Sequence, residues 1–374
     1  MSDKSGVKRT VYHLGLLILI SFFLSGNIAA QHHADDPVIS TEDQQKMEEA
    51  DFQAGEMIVE HISDSYDWHI INFGDTHISI PLPVILYDEG QWHVFMSSNF
   101  HHGHDVYKGY FISHKDMNAG KIVKLDGDGQ EIRPTLDISI TKNVVAIFLS
   151  SLLLIVIFVS VARSYDKRRD HAPKGLQSFL EPIIIFVRDD IAKASIGEKR
   201  YEKYLPFLLT IFFFILINNI LGIIPIFPGG ANVTGNIGVT GVLAAFTFII
   251  TTFSGNKNYW THIINAPGVP WWLKIPVPLM PIVELMGVFT KPFVLMVRLF
   301  ANITAGHIII LGFISLIFIF GEMSAGLGYG VSVISVGFSI FMDFLELLVA
   351  FIQAYVFTLL SALYFGMATE EAHH

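Results

Sequence analysis

Four ionisable residues fall inside one strongly apolar stretch, ELMGVFTKPFVLMVRLFANITAGH: Glu284, Lys291, Arg298 and His307. An arginine near the middle of a bilayer costs about 2.5–3.5 kcal/mol on insertion scales. Glutamate, lysine and histidine can escape that cost by giving up their charge. Arg298 cannot, because a guanidinium keeps its proton to beyond pH ~12. A fixed cation at mid-depth repels protons and attracts carboxylates, so a protonated carboxyl that approaches it releases its proton. A histidine or glutamate nearby can take and pass protons near neutral pH. The set therefore suits ion movement, and intramembrane ionisable groups mark ion pathways by default.

Spacing sorts these groups onto helix faces. Glu284, Lys291 and Arg298 are seven residues apart and share one face, with a drift of about 20° per step. Asn302, four beyond Arg298, stays near that face. His307, nine beyond Arg298, lies on the opposite side. On the next apolar segment Glu346 and Gln353 are seven apart and Tyr364 is eleven further, so they form one stripe, with Asp343 one turn before Glu346. If the two segments pack antiparallel, Gln353 lies level with Arg298 and Glu346 level with His307. The axial offsets are ~13 Å and ~10 Å. This predicts an Arg298–Gln353 hydrogen bond with a His307–Glu346 pair on its outer side. Plain packing roles compete with this reading. Glu284 and Lys291 can snorkel to an interface, and Asn218 and Asn219 can bond between helices.

The elements that must carry these residues are membrane segments. The chain has 374 residues, 52% of them hydrophobic, and several apolar runs of about 20 residues, which indicates a polytopic membrane protein. It has no cysteine, which excludes disulfides and thiolate metal sites. The net charge of −10 is uneven: residues 31–140 hold 20 Asp/Glu against 6 Lys/Arg. No basic footprint for nucleic acid is present.

Five segments are expected at 144–162, 205–227, 237–253, 278–320 and 331–368. Arg163 to Lys203 carries ten Lys/Arg, and the loops after the second and fourth segments carry none. By charge asymmetry the N-terminus is outside and the C-terminus inside. The 278–320 segment would extend roughly 65 Å as a helix, about twice the hydrocarbon thickness. Each of the last two must therefore break, re-enter or tilt strongly. Pro292 and Gly306 are candidate bends, and Gly366 a loosening point.

Residues 1–30 read as a secretory signal, with Lys8 and Arg9, an apolar core from Val11 to Leu24, and a small-residue exit at Ile28-Ala29-Ala30. An uncleaved anchor is the competing reading. Residues 31–143 read as an acidic, histidine-rich α+β module outside the cytoplasm. It has a helix-like start (Thr41 to His61) and strands in THISIPLPVILY and QWHVFM. His101, His102 and His104 beside Asp105 match no defined ligand spacing, so a solvated loop is the expectation and no metal is assigned. Asp126-Gly-Asp-Gly lacks the rest of a calcium loop.

Residues 144–372 resemble the subunit a family of the F-type ATP synthase membrane sector. Arg298-Leu-Phe-Ala-Asn302-Ile-Thr-Ala-Gly306-His307 resembles that family's arginine helix, and Gln353-Ala-Tyr-Val-Phe its glutamine helix. Asn219-Ile-Leu-Gly-Ile-Ile-Pro225, Asn232-Val-Thr and the terminal MATEEAHH are also similar. The resemblance implies an all-α body with five membrane segments, the last two long and strongly tilted. It implies a proton-translocating stator subunit of a bacterial inner membrane. Its partners would be a c-ring, peripheral-stalk b subunits and the lipid bilayer. No cofactor and no catalytic site are implied, and no nucleotide motif is present. By the same resemblance Arg298 faces the ring carboxylates with Gln353 as its partner. His307, Glu346 and Asn302 line the outer half-channel, and Glu284 the inner one. Asp343, Lys291, Tyr364 and Asn219 are supporting positions. Two departures stand out. Some relatives carry an acid where this chain has Gly222, and the module lies outside the common core. The alternatives are an ion-coupled secondary transporter, which should show paired repeats that are not evident, and an anchored binding module outside the cell.

Overall fold

The computed structural model describes residues 53–370, apart from 74–75, 104, 116–117, 168–171, 225–226 and 265–278. The expected signal segment, His104, Pro225, Trp271, Trp272, Lys274 and the last residues of MATEEAHH lie outside the described residues.

The N-terminal module opens with helix α1 (Ala54–Ile62). Eight short strands follow: β1 (Asp67–Phe73), β2 (Thr76–Pro81), β3 (Pro83–Asp88), β4 (Gln91–Met96), β5 (Tyr110–Ile112), β6 (Ile122–Leu125), β7 (Glu131–Ile132) and β8 (Leu136–Asp137). They form three antiparallel sheets, ordered β1-β2, β4-β3-β8 and β5-β6-β7. The run THISIPLPVILY breaks at its proline pair. It divides at Leu82, between Pro81 and Pro83, and the two halves pair with different neighbours, β1 and β4. β3 buries every second residue, which puts Val84 and Leu86 in the core with Phe95, Phe100 and Ile122. Its hairpin to β4 turns at Glu89 and Gly90, both at positive φ, as a two-residue hairpin turn that follows the strand twist needs.

Five helices long and apolar enough to cross a membrane follow. They are α2 (Lys142–Lys167), α5 (Tyr201–Ile223), α6 (Ile237–Ser254), α8 (Leu279–Met323) and α9 (Ala325–Thr369). Short helices α3 (Leu176–Phe186) and α4 (Ala194–Ile196), with a π-helical segment at Val187–Lys193 between them, join α2 to α5. Helix α7 (Lys257–Ile264) follows α6. α5 is the most buried span; Leu208, Ile211, Phe212 and Ile215 are sealed from solvent. It packs on α9, α9 packs along α8, and α8 packs on α6.

Three boundaries differ from expectation. The second span runs from Tyr201 to Ile223 rather than 205–227. Ile224 is extended, as suits a residue before proline, whose ring disfavours helical backbone there. No ten-residue loop separates the last two spans. α8 continues to Met323 and α9 begins at Ala325, with only Ser324 between them. The tight reversal needs a glycine at 328, because a Cβ there would lie 2.8 Å from the Cα of Gly321. Neither Pro292 nor Gly306 breaks α8, and Gly366 does not end α9; it sits against the backbone of Ser195. Each long helix therefore has 45 unbroken residues. At 1.5 Å per residue this is ~67 Å, which fits a ~30 Å hydrocarbon layer only if the helix is steeply inclined.

Candidate functional site

α8 has an inward stripe of Val288, Leu295, Leu299 and Ile303, all buried. At about 100° per residue, Arg298 lies roughly a quarter turn to one side of that stripe and His307 roughly a quarter turn to the other. The helix thus separates two polar faces with an apolar seam.

On the first face, His307 meets Glu346 of α9 as their levels predict. Nδ1 of His307 is 3.2 Å from Oε1 of Glu346, and the side chains are 15% and 3% exposed. Gly306 makes room for this contact: a Cβ there would stand 2.9 Å from the same carboxylate oxygen. The other side of the ring faces α5, where a Cβ on Gly222 would lie 3.8 Å from Nε2. Both oxygens of Glu346 are sealed from solvent and lack a well-aligned hydrogen bond. A buried carboxylate is costly without compensating donors. The His307 ring is the basic group in contact with that carboxylate. Asp343, one turn before Glu346, is exposed and adds its charge to the surroundings of Glu346.

On the second face, Arg298 and Asn302 are exposed. Among the described residues, no hydrogen bond or ion pair engages Arg298. Gln353 is buried on α9 at 6% exposure. The predicted Arg298–Gln353 hydrogen bond is therefore not formed. Leu295 and Leu299 occupy the buried face of α8, and the guanidinium lies off that face, exposed.

Towards the start of α8 the polar residues gather differently. The ammonium of Lys291 stands 5.7 Å from the centre of the Tyr364 ring. Both line a cleft with Thr251, Tyr259 and Val288. Tyr259 lies within electrostatic reach of Glu284, and Tyr364 within reach of Arg298. Glu284, Lys291 and Arg298 thus follow one line along α8, as their spacing predicts, and Tyr364 stands against Lys291. Thr251 and Tyr259 were not singled out by sequence. Nothing local marks them, since they come from α6 and α7.

Asn219 plays the packing part. Its Nδ2 donates to the Ala350 carbonyl at 3.3 Å, and its Oδ1 accepts from Thr234 Oγ1 at 2.6 Å. It clasps α5 to α9 one turn from both Glu346 and Gln353. Asn218 donates to Phe214 within its own helix.

Residues 144–366 match the family model described as ATP synthase A chain. The chain belongs to that family. It is similar to ATP synthase subunit a of Chloroherpeton thalassium, 41% identical over 277 residues, covering 72% of this chain and 77% of the relative. It is also similar to ATP synthase subunit a 2 of Chlorobaculum tepidum, 50% identical over 239 residues, covering 62% and 64%. ATP synthase subunit a of Myxococcus xanthus is 39% identical over 311 residues, covering 79% and 90%. A second match, to a domain of unknown function, spans residues 57–144 and so follows the strand-bearing module. The chain is thus a multi-pass membrane protein of the ATP synthase A chain family with a separate N-terminal module.

Proposed function

We infer that this chain is the subunit that carries protons through the membrane sector of an F-type ATP synthase, and that the two polar faces of α8 are its two proton routes. It is a non-catalytic stator subunit: it does no phosphoryl chemistry and couples proton flow to rotation. The buried His307–Glu346 pair, set across an apolar seam from an exposed Arg298, is the observation that carries the assignment.

A proton enters at His307 and Glu346 and passes to a carboxylate on a partner, the c-ring. The ring turns through lipid and the proton leaves along Lys291, Tyr364 and Glu284. Arg298 stands between the routes. Its charge forces an arriving ring carboxyl to ionise and bars a direct leak. An exposed guanidinium on an apolar surface needs a counter-charge, and the described residues offer no ion pair to it, so the partner supplies one. Asn302, four residues beyond Arg298 and likewise exposed, holds a polar group near the crossing, and Gln353 is buried on α9. Peripheral-stalk b subunits are the expected stator contacts. The basic stretch Arg163 to Lys203 puts α2 to α5 connections in the cytoplasm, the module outside the inner membrane and the C-terminus inside. The expected division is a signal at 1–30, a module at 31–143 and the membrane body at 144–372.

The test is Arg298→Lys in the assembled complex, reconstituted in liposomes. Lysine keeps a charge but can lose its proton and lacks the planar fork. Coupled ATP synthesis and ATP-driven pumping should both disappear while the variant still co-purifies with the ring. Normal pumping by that variant would refute the assignment.

A further inference from the structure

The last turns of α2 carry a feature that neither proton route uses. A cleft of about 560 Å³ runs along this helix. Among the described residues its lining comes from α2, and its chemistry changes in order along the axis. Ile155, Val156 and Val159 form an apolar wall; Ser160 and Ser164 follow, and Arg163 and Lys167 close the end. Val156 is 58% exposed, so the wall faces out of the protein rather than into its core. Arg163 and Lys167 are exposed and one turn apart, and among the described residues no ion pair engages either. Asp166, between them in sequence, is not in the lining, and no other acid is among the described lining residues. Ser164 Oγ donates to Gln177 Oε1 at 2.9 Å, which fastens α3 beside the basic end. There α3 exposes Leu176 and Phe179, three residues apart, as a helix lying at a membrane surface does.

We propose that this cleft binds one anionic phospholipid, with its acyl chains along Ile155, Val156 and Val159 and its phosphate between Arg163 and Lys167. Length fits. Ile155 to Lys167 spans ~18 Å of helix, and one leaflet contributes ~15 Å of hydrocarbon before the headgroup begins. The order of polarity fits as well, since a lipid presents hydrocarbon first and phosphate last. A guanidinium takes a phosphate through two parallel hydrogen bonds, and the ammonium one turn on adds a point charge. Two cations without an acid between them favour a headgroup that brings no cation of its own, so phosphatidylglycerol suits the site better than phosphatidylcholine. A free phosphate would engage the two cations and leave the apolar wall bare. A protein helix would have to place an acid at the edge of the hydrocarbon, whereas a lipid carries its phosphate at that depth already. The leaflet rests on the topology inferred from charge, which puts this end of α2 inside; the site itself rests on the cleft and its residues.

The experiment uses the whole ATP synthase in phosphatidylcholine vesicles that contain a photoactivatable phosphatidylglycerol or, in parallel, a photoactivatable phosphatidylcholine. Labelled peptides are read by mass spectrometry and counted per assembled complex, so a lower yield of complex does not mimic the effect. Residues 155–167 should be labelled about tenfold more by the anionic analogue, the scale set by two basic side chains at a membrane surface. Arg163→Gln combined with Lys167→Gln should remove that preference and leave labelling elsewhere on the chain unchanged. Val156→Trp keeps both charges but fills the apolar wall at an exposed position, and it should cut labelling by both analogues. Equal labelling by the two analogues, or a preference that survives the loss of both cations, overturns the proposal. Labelling of the isolated chain that vanishes in the assembled complex also overturns it, because a protein partner then covers the cleft. None of these failures touches the proton assignment, which Arg298→Lys tests separately.

Discussion

The two flanks of α8 are built on opposite principles. At His307 the site is completed within the chain: a carboxylate from α9 reaches the ring, and glycines on α5 and α8 leave the space for it. At Arg298 the site is open, with an exposed cation and no ion-pair partner among the described residues. The same helix thus carries a closed half and a half that awaits another surface. The closed half can tune a proton privately, shielded from water. The open half can act only on what is brought to it. That division suits a stator, whose fixed part must pass protons to something that moves. The apolar residues beside Arg298, such as Phe293 and Val294, are also exposed, which fits a surface that meets lipid or a partner.

If the closed half works as a proton pair, removing its titrating carboxyl should be the most damaging change there. Glu346→Gln keeps the shape and the burial but cannot ionise. Proton-driven ATP synthesis should fall by roughly 10²-fold, the low end of what a positioned acid or base supplies. The complex should still assemble, because an amide costs less to bury than an unpaired carboxylate. Rates near those of the parent would break the contrast, by making the closed half mere packing.

A smaller effect is expected from the space that the pair needs. A Cβ at Gly306 would stand 2.9 Å from Glu346 Oε1, and the carboxylate is the far end of a flexible side chain, so it can swing aside. Gly306→Val should therefore preserve folding yet part the histidine from the carboxylate. Synthesis should drop by about tenfold, a differential cost near 1.4 kcal/mol, and added volume at Gly312, where nothing lies within reach of a Cβ, should do nothing comparable. Equal losses at both glycines would show that α8 simply resists change.

The period of the sequence carried the closed half well. Offsets of nine residues from Arg298 and seven from Gln353 put His307 level with Glu346 on antiparallel helices, and the structure has them 3.2 Å apart. The five spans and the strand-bearing module were legible in the same way, from apolar length and from alternation. Spacing failed where rotation mattered. Level says nothing about how far a helix rolls, and at Arg298 the buried Leu295 and Leu299 decide that. It failed again where contacts are distant in sequence. Tyr259 joins the Lys291 cleft from α7, and α1 lies against α8 from the N-terminal module; neither contact has a local signature. Boundaries moved for local reasons, a proline after Ile224 and the close approach of Gly328 to α8 at the α8–α9 reversal.

The module supplies the mildest test, because its own charges are tied down. Asp88 is buried at 4% exposure and forms a 2.6 Å ion pair with Lys124. It also accepts from Tyr110 Oη at 2.9 Å and from the backbone and hydroxyl of Thr135 at 3.2 and 3.1 Å. Burial by itself would raise the carboxyl's pKa, but the donors from Lys124, Tyr110 and Thr135 outweigh it and bring it down to about 2. The folded value is below the ordinary one of 3.8. This contribution to stability is therefore complete above about pH 4 and fades as pH falls towards 2, and it amounts to roughly 2 kcal/mol. Asp88→Asn should lose that amount at neutral pH and flatten the acid dependence, read as faster amide exchange in β3 and β6 of the full-length protein. Proton conduction at neutral pH should stay unchanged, since a loss of this size leaves most of the module folded. A conduction defect as large as that of Gly306→Val, with α1 still docked, would mean that the locked charges of the module and the trading charges of the pair are one network rather than two.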